Sequence, residues 1–184
     1  MEKKNIVILY IIVLLLQGKR YNFLLPTVYA YPNNNKEVQL VKKKVEFRSL
    51  SDIDFFNLTD KSVAYAFSPI VEESVMTLEN IFKGPFNLIS VCILTLKYFF
   101  NRARPDQIDV HLKTLKSTTA NTPSYPAGHA FQAYYLAKKL SRKYPHRAGE
   151  FNSIAKRCDD VRVMAGLHFP SDGNFSKYLV DTYF

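Results

Sequence analysis

One run of apolar residues constrains the fold more than any other part of the sequence. It reads FNLISVCILTLKYFF, residues 86–100, and it is apolar nearly all round, which predicts a buried central helix. The run carries Lys97 and fits a protein core better than a bilayer. A chain of 184 residues with 47% hydrophobic composition is long enough for one such core, so we expect one domain.

Helix signals dominate the chain from about residue 46. Ser68 and Pro69 are typical of an N-cap and a first turn, and this helix should run to about Phe82 and stop at the following Lys-Gly-Pro. The other helices expected are a short one at 110–115 and longer ones at 129–140, at 148–164 and after Asp172. Strand alternation is scarce. The sequence therefore predicts an all-α fold, a single-domain helical bundle.

The N-terminus has the composition of a targeting segment. Its basic start is followed by the apolar run 6–16, which is too short to span a bilayer but suits the core of a signal peptide. We therefore interpret residues 1–30 as a signal peptide or an uncleaved membrane anchor. The polar residues that follow predict a linker over 31–45 and a domain over 46–184. This organisation predicts a secreted or extracytoplasmic protein.

The charge and the cysteines limit the partners and the redox state. A net charge of +9 favours an anionic partner. No zinc-finger spacing or RNA-binding signature is present, so we expect no nucleic acid, and a phosphorylated small molecule or lipid is the favoured substrate. Cys92 and Cys158 can pair in an oxidising compartment, although Cys92 lies in an apolar run and also suits a buried thiol. The oligomeric state is not predicted.

The first of three motifs is KYFFNRARP. Lys97 and Arg104 are seven residues apart, close to two helical turns, so both cations can project from one face. Pro105 then stops the helix. A basic C-terminal cap of an ordinary helix is the alternative interpretation.

The second motif is SYPAGHA, residues 124–130. Gly128 allows a ligand to approach the backbone closely, and amides 127–129, if they begin a helix, form an anion site. His129 would then lie at the mouth of that site. The alternative is a helix start with an incidental histidine.

The third motif is VRVMAGLHFPSD, in which Arg162 precedes His168 and Asp172 follows it by four residues. Aspartate can accept a hydrogen bond from one ring nitrogen and leave the other as nucleophile or base. The alternative is a capped helix with a surface salt bridge.

The three motifs together contain what transfer of a tetrahedral oxyanion requires. Three cations can neutralise its oxygens, one histidine can attack in line, and the other can donate a proton to the leaving oxygen. No magnesium-binding acidic cluster or P-loop is present, so the cations must replace a metal, and we expect no metal site.

The sequence resembles the type 2 phosphatidic acid phosphatase (PAP2) superfamily, which includes bacterial class A non-specific acid phosphatases, lipid phosphatases and vanadium haloperoxidases. The pattern of that family is K-x6-RP, then PSGH, then SR-x5-H-x3-D. This chain matches its spacings in order with Lys97-x6-Arg104-Pro105, Pro126-Ala127-Gly128-His129 and Arg162-x5-His168-x3-Asp172.

The resemblance implies a role for each matched residue. His168 would be the nucleophile that forms a phosphohistidine, Asp172 its orienting carboxylate and His129 the general acid. The phosphate ligands would be Lys97, Arg104, Arg162 and the Gly128 amide. Two positions depart from the pattern: Ala127 and Val161 each replace a serine. Loss of one charge-assisted hydrogen bond costs roughly 1.5–3 kcal/mol, enough to slow an enzyme without abolishing it.

The motifs look most like those of soluble secreted acid phosphatases, so the expected activity is metal-independent hydrolysis of phosphate monoesters without a cofactor. Membrane lipid phosphatases of this family need several spanning helices, and no run after the N-terminus is long enough. Two alternatives are a haloperoxidase with vanadate as cofactor and a weakened homologue that only binds phosphate. In a phosphatase, vanadate would act as an inhibitor.

Overall fold

The structure is a computed structural model that describes residues 28–83 and 88–184. Most of the predicted targeting segment lies outside these residues. Every regular element in the described part is helical and none is a strand, which confirms the predicted all-α class. The helices are α1 (Asn34–Glu46), α2 (Leu50–Lys61), α3 (Ala64–Val71), α4 (Val75–Lys83), α5 (Leu88–Phe100), α6 (Pro105–Ile108), α7 (Gly128–Lys143), α8 (Ala148–Met164) and α9 (Pro170–Tyr183), with a 3₁₀ turn at Pro145–Arg147.

Helix α7 lies at the centre of the bundle, where it packs against α8, α9 and α4. Its small side chains at Ala130, Ala133 and Ala137 are fully buried, so neighbouring helices can approach its backbone closely. Phe131 and Leu136 fill the space between them and are also fully buried. The C-terminal half of the chain therefore supplies most of the scaffold for the site.

Helix α5 has a less central place than the sequence predicts. Ile89 and Ile93 join the main core, but many residues of the helix are only half-buried and Phe99 is 57% exposed. The predicted helix is therefore confirmed over Leu88–Phe100, but it is not the fully buried central helix that its composition indicates. The alanines of α7 let helices pack on several of its sides, and the bulkier α5 packs mainly through one face.

The stretch predicted as a linker, residues 31–45, is mostly helix α1. Asn33 caps this helix by accepting hydrogen bonds from two backbone amides, 2.9 and 3.3 Å away. One face of α1 forms an apolar cluster that consists of Val38, Val41 and Val45 packed with Val163 and Phe169. Within the described residues, the helical part of the chain therefore includes the segment that the polar composition assigned to a linker.

The single helix predicted from Ser68 to Phe82 is instead two helices, α3 and α4. Pro69 lies inside α3, and Glu72 ends that helix in the left-handed conformation with a φ of 56°. The Ser68 hydroxyl donates to the Glu73 carbonyl at 2.6 Å across the break, so this serine is not an N-cap.

The helices predicted at 129–140 and 148–164 are confirmed as α7 and α8, and α7 continues one turn further. The helix predicted at 110–115 is absent, since those described residues form a turn and irregular chain. Helix α6 lies one turn earlier instead, because Pro105 suits a first helical position. The last helix starts at Pro170, slightly earlier than predicted.

The two cysteines do not pair. Cys158 is buried, Cys92 is half-buried, and both are free thiols. Over the described residues, no helix combines the length and the apolar character needed to cross a bilayer.

Candidate active site

The His168–Asp172 pair lies where α8 gives way to α9. His168 is in the connection and Asp172 is in the first turn of α9. The His168 Nδ1 atom is 3.1 Å from the Asp172 Oδ2 atom, and both residues are buried. The same carboxylate accepts the Phe169 backbone N–H at 2.9 Å, so it caps α9 while it fixes the imidazole ring. The ring's other nitrogen, Nε2, is then the one that can act as a nucleophile.

Each oxygen of Asp172 has a donor of its own in addition to the histidine. Arg102 donates to Oδ1 at 2.6 Å, and the Ser124 hydroxyl donates to Oδ2. Burial alone would raise the pKa of Asp172, but the His168 hydrogen bond and the Arg102 charge bring that pKa well below its usual range. The carboxylate is therefore held in its charged form.

Three buried cationic side chains lie around this pair and the second histidine, His129. Arg104 places its Nη1 atom 3.4 Å from the His168 Nε2 atom, and the charges of Lys97 and Arg104 both act on that ring. Arg162 and Lys97 act in the same way on His129. The structure thus brings together the cations that the sequence places in two separate motifs.

The long loop between α6 and α7 holds two of these cations through backbone carbonyls. Lys97 donates to the carbonyls of Pro123 and Ser124 at 2.7 and 3.3 Å. Arg104 donates to the carbonyl of Thr122 at 2.9 Å. The backbone of this long connection therefore fixes the positions of both cations.

Arg162 has a donor that no group in the described part of the protein satisfies. Its Nη1 atom pairs with the Asp60 carboxylate at 2.5 Å, while its buried Nε atom has no hydrogen-bond partner there. A buried donor without a partner costs about 1–3 kcal/mol. An anion bound in the pocket would supply the missing acceptor.

The charges in the pocket change the protonation of its bases. Burial, followed by the charge of Arg104, lowers the pKa of His168 well below its usual range. The same two causes lower the pKa of Lys97. Both pKa shifts have the sign that burial and neighbouring positive charges produce, and a bound phosphate would oppose them.

The second motif forms the start of α7. The Ala127 amide, predicted to face an anion, donates instead to the Asp172 carbonyl at 3.2 Å. Gly128 lies against Lys97: a Cβ atom at this glycine would be 3.9 Å from the lysine Cε atom. Its amide belongs to the first turn, whose N–H groups have no partner within the helix. His129 is partly exposed, and its Nε2 atom is 3.1 Å from the Asp60 carbonyl oxygen.

Arg102 is a site residue that sequence reasoning missed. It is fully buried and also pairs with Glu37 at 2.7 Å, and its guanidinium lies 4.3 Å and 4.0 Å from the ring centres of Tyr31 and Phe169. Arg102 lies between the two basic residues of the first motif, which is a signal that could have marked it. Glu37 and Asp60 carry no such signal, since only tertiary contacts place them here.

The structure is an all-helical protein in which a buried histidine–aspartate pair lies beside basic side chains from two further motifs. The sequence pattern of the PAP2 superfamily matches residues 80–179, and the chain belongs to that superfamily. The matched region contains all three motifs.

Two relatives are bacterial enzymes. The non-specific acid phosphatase of Salmonella typhi is 28% identical over 138 residues, which cover 67% of this chain and 53% of the relative. That of Salmonella typhimurium is 28% identical over 132 residues, covering 65% and 51%. The chain thus spans about half the length of these curated relatives.

Proposed function

We propose that this protein is a metal-independent phosphatase that hydrolyses phosphate monoesters through a phosphohistidine on His168. The observation that carries the proposal is the meeting of three buried cations around two histidines. Arg104 and Lys97 act on His168, whose Nδ1 atom is held by Asp172, and Arg162 and Lys97 act on His129. Three cationic side chains and the backbone amides at the start of α7 suit the oxygens of a tetrahedral anion. Both relatives are named as acid phosphatases, which supports the same reaction.

In the first step the His168 Nε2 atom attacks phosphorus, and the bond from phosphorus to the leaving oxygen breaks. His129 donates a proton to that oxygen, so the alcohol leaves neutral. The phosphoryl group stays on His168. Asp172 keeps the Nδ1 hydrogen bond and stabilises the positive charge that forms on the ring.

In the second step a water molecule attacks the phosphohistidine. His129, now neutral, accepts a proton from the water, and the bond between nitrogen and phosphorus breaks. Inorganic phosphate leaves and His168 returns to its neutral form. The cations contribute most when the equatorial oxygens carry the greatest charge.

The charge state of the general acid follows the substrate. Burial of the ring and the charge of Arg162 lower the pKa of His129. A bound phosphate ester places negative charge beside this ring and raises its pKa again. We therefore expect the acid to be protonated when substrate is bound, while the Arg104 charge 3.4 Å from the His168 Nε2 atom favours the neutral nucleophile.

The test is hydrolysis of p-nitrophenyl phosphate by the full chain after exhaustive chelation, together with acid-free quenching and mass spectrometry. We expect turnover that survives chelation, competitive inhibition by vanadate, which mimics the transition state, and phosphate on His168. His168→Asn should abolish both turnover and adduct, whereas His146→Asn, at an exposed position, should change neither. Loss of turnover that zinc or magnesium restores, or an adduct on another residue, would contradict the proposal.

We place this activity in a secreted or extracytoplasmic compartment, because residues 1–30 have the composition of a targeting segment. A reporter fused to the C-terminus should be found beyond the membrane. A full-length product in the cytoplasm would contradict this placement.

A further inference from the structure

Asp60 contacts two groups of the site at once. It lies at the C-terminal end of α2, and it is buried. Its carboxylate pairs with Arg162 at 2.5 Å, and its backbone carbonyl oxygen is 3.1 Å from the His129 Nε2 atom. One residue therefore touches both a phosphate-binding cation and the general acid, which come from different helices.

The loop at 117–119 fixes the carboxylate of Asp60. The Ser117 and Thr119 hydroxyls donate to Oδ1 at 2.6 and 3.3 Å, and the Thr118 amide donates to Oδ2 at 3.4 Å. With Arg162 included, four donors hold this carboxylate. Its position is thus set by two chain segments in addition to its own helix, more than a simple ion pair requires.

The carboxylate also determines which edge of Arg162 is left for a ligand. It binds Nη1, and Ser117 lies 3.4 Å from Nη2, whereas the buried Nε atom has no partner among the described residues. An arginine held at one edge by a fixed anion presents the remaining donor in one direction. Asp60 thereby aims the unsatisfied donor.

The carbonyl of Asp60 selects the tautomer of His129. This oxygen only accepts hydrogen bonds, so Nε2 must carry a proton in this contact, and Nδ1 is left to exchange the catalytic proton. The carbonyl is one of the last four of α2, which have no partner within the helix and form its negative end. Around the ring, the negative groups come from α2, while Arg162 of α8 and Lys97 of α5 are positive.

The geometry points to Asp60 as a positioning residue that holds Arg162 and His129 in a fixed relation to each other, an inference that rests on the proposed phosphatase function. It predicts that phosphate binding and proton donation are coupled through α2. Loss of the carboxylate should affect both, although Asp60 itself contacts neither the phosphorus nor the leaving oxygen in the proposed reaction.

The test compares Asp60→Asn with Asp54→Asn, an exposed position on the same helix. Asp60→Asn should lower kcat/KM about 10- to 100-fold, because a small misplacement of the reacting groups has effects of that size. It should also move the basic limb of the kcat profile down by about one pH unit, since an anion that favours the charged ring is lost. Asp54→Asn should match the wild type in both.

A second readout does not depend on turnover. Nitrogen-15 NMR of the imidazoles of the phosphate-free full chain should show His129 protonated at Nε2, and its titration should move to lower pH in Asp60→Asn. If the wild type hydrolyses no phosphate ester, the proposed function fails, yet these signals still decide the role of Asp60. A wild-type ring protonated only at Nδ1, or an Asp60→Asn variant that loses thermal stability with an unchanged pH profile and His129 titration, would overturn the inference.

Discussion

Ala127 is one of the two residues at which the chain departs from the family pattern. It is the N-cap of α7, it is fully buried, and it makes no side-chain capping bond. A serine hydroxyl at this position can accept a bond from the first turn, worth about 1 kcal/mol, or donate to a bound phosphate. The two contacts can be distinguished by measurement, because a helix cap would raise the thermal stability and a bond to phosphate would raise kcat/KM.

We expect Ala127→Ser to raise kcat/KM on the order of tenfold, which corresponds to ~1.4 kcal/mol of transition-state stabilisation. The physical reason is one added donor beside the amides that begin α7. Steady-state kinetics and thermal unfolding with and without inorganic phosphate provide the measurement. An equal gain in Tm in both conditions with unchanged kcat/KM would show that the hydroxyl only caps the helix.

The motif residues could be predicted from the sequence because short spacings place them. Four residues separate His168 from Asp172, and the first turn of α9 converts that spacing into a contact. Arg162 and Lys97 required the family pattern as well, since the two lie in different helices. Asp60 could not be found this way, because its contacts depend on how α2 packs beside the loop at 117–119.

Helix α1 gives the N-terminal segment a role in the site. Glu37 accepts from Arg102 at 2.7 Å and from the Ser171 amide at 3.1 Å, and Arg102 in turn holds Asp172. The orienting carboxylate is therefore connected to α1 through a single buried guanidinium. A change in α1 should reach the nucleophile through this chain of contacts.

We expect Glu37→Gln to lower kcat several-fold with little change in KM. Without the Glu37 charge, Arg102 is held less firmly against Asp172, but the phosphate-binding cations are untouched. Glu46→Gln, at an exposed position of the same helix, is the matched control. Kinetics and thermal unfolding of both variants give the readout. A rise in KM alone, or equal losses in the two variants, would contradict this role of α1.

Helix α1 and the break between α3 and α4 were not predicted from the sequence, because both depend on contacts with neighbouring residues. Helix α1 has valines at helical spacing, but the polar residues 31–37 outweigh them in composition. The valines gain a buried face only through tertiary contacts, among them those with Val163 and Phe169. The break between α3 and α4 depends on Glu72, a residue type that rarely adopts the left-handed conformation. Its neighbours, not its own preference, impose it.

The buried carboxyl group of Asp159 makes the stability of the contact between α7, α8 and α9 depend on pH. It lies in α8, its Oδ1 atom is buried without a partner among the described residues, and Tyr134 of α7 donates to Oδ2 at 3.3 Å. Gly173 of α9 lies so close that a methyl group there would overlap this carboxyl group. Burial, with the nearby charge of Asp160, raises the pKa of Asp159 to about 7. Three helices thus meet at this carboxyl group, and the folded state favours its protonated form.

The sign of the pH dependence follows from this raised pKa. An unfolded aspartate has a pKa of about 3.9, so the folded state binds the proton more tightly. This contribution to stability is complete below about pH 4 and is lost as the pH rises toward 7. Each pKa unit corresponds to about 1.4 kcal/mol, so the total loss is a few kcal/mol.

We therefore expect Asp159→Asn to remove this loss, since an amide fills the same space without a charge. Relative to the wild type, the variant should gain Tm at pH 8 compared with pH 4, by roughly 2–4 °C for each kcal/mol. Thermal unfolding across this range measures the difference, with Asp54→Asn as an exposed control that should follow the wild type. A constant Tm difference at every pH would show that Asp159 is already ionised at no cost in the folded protein, and that the contact of α7, α8 and α9 does not depend on its proton.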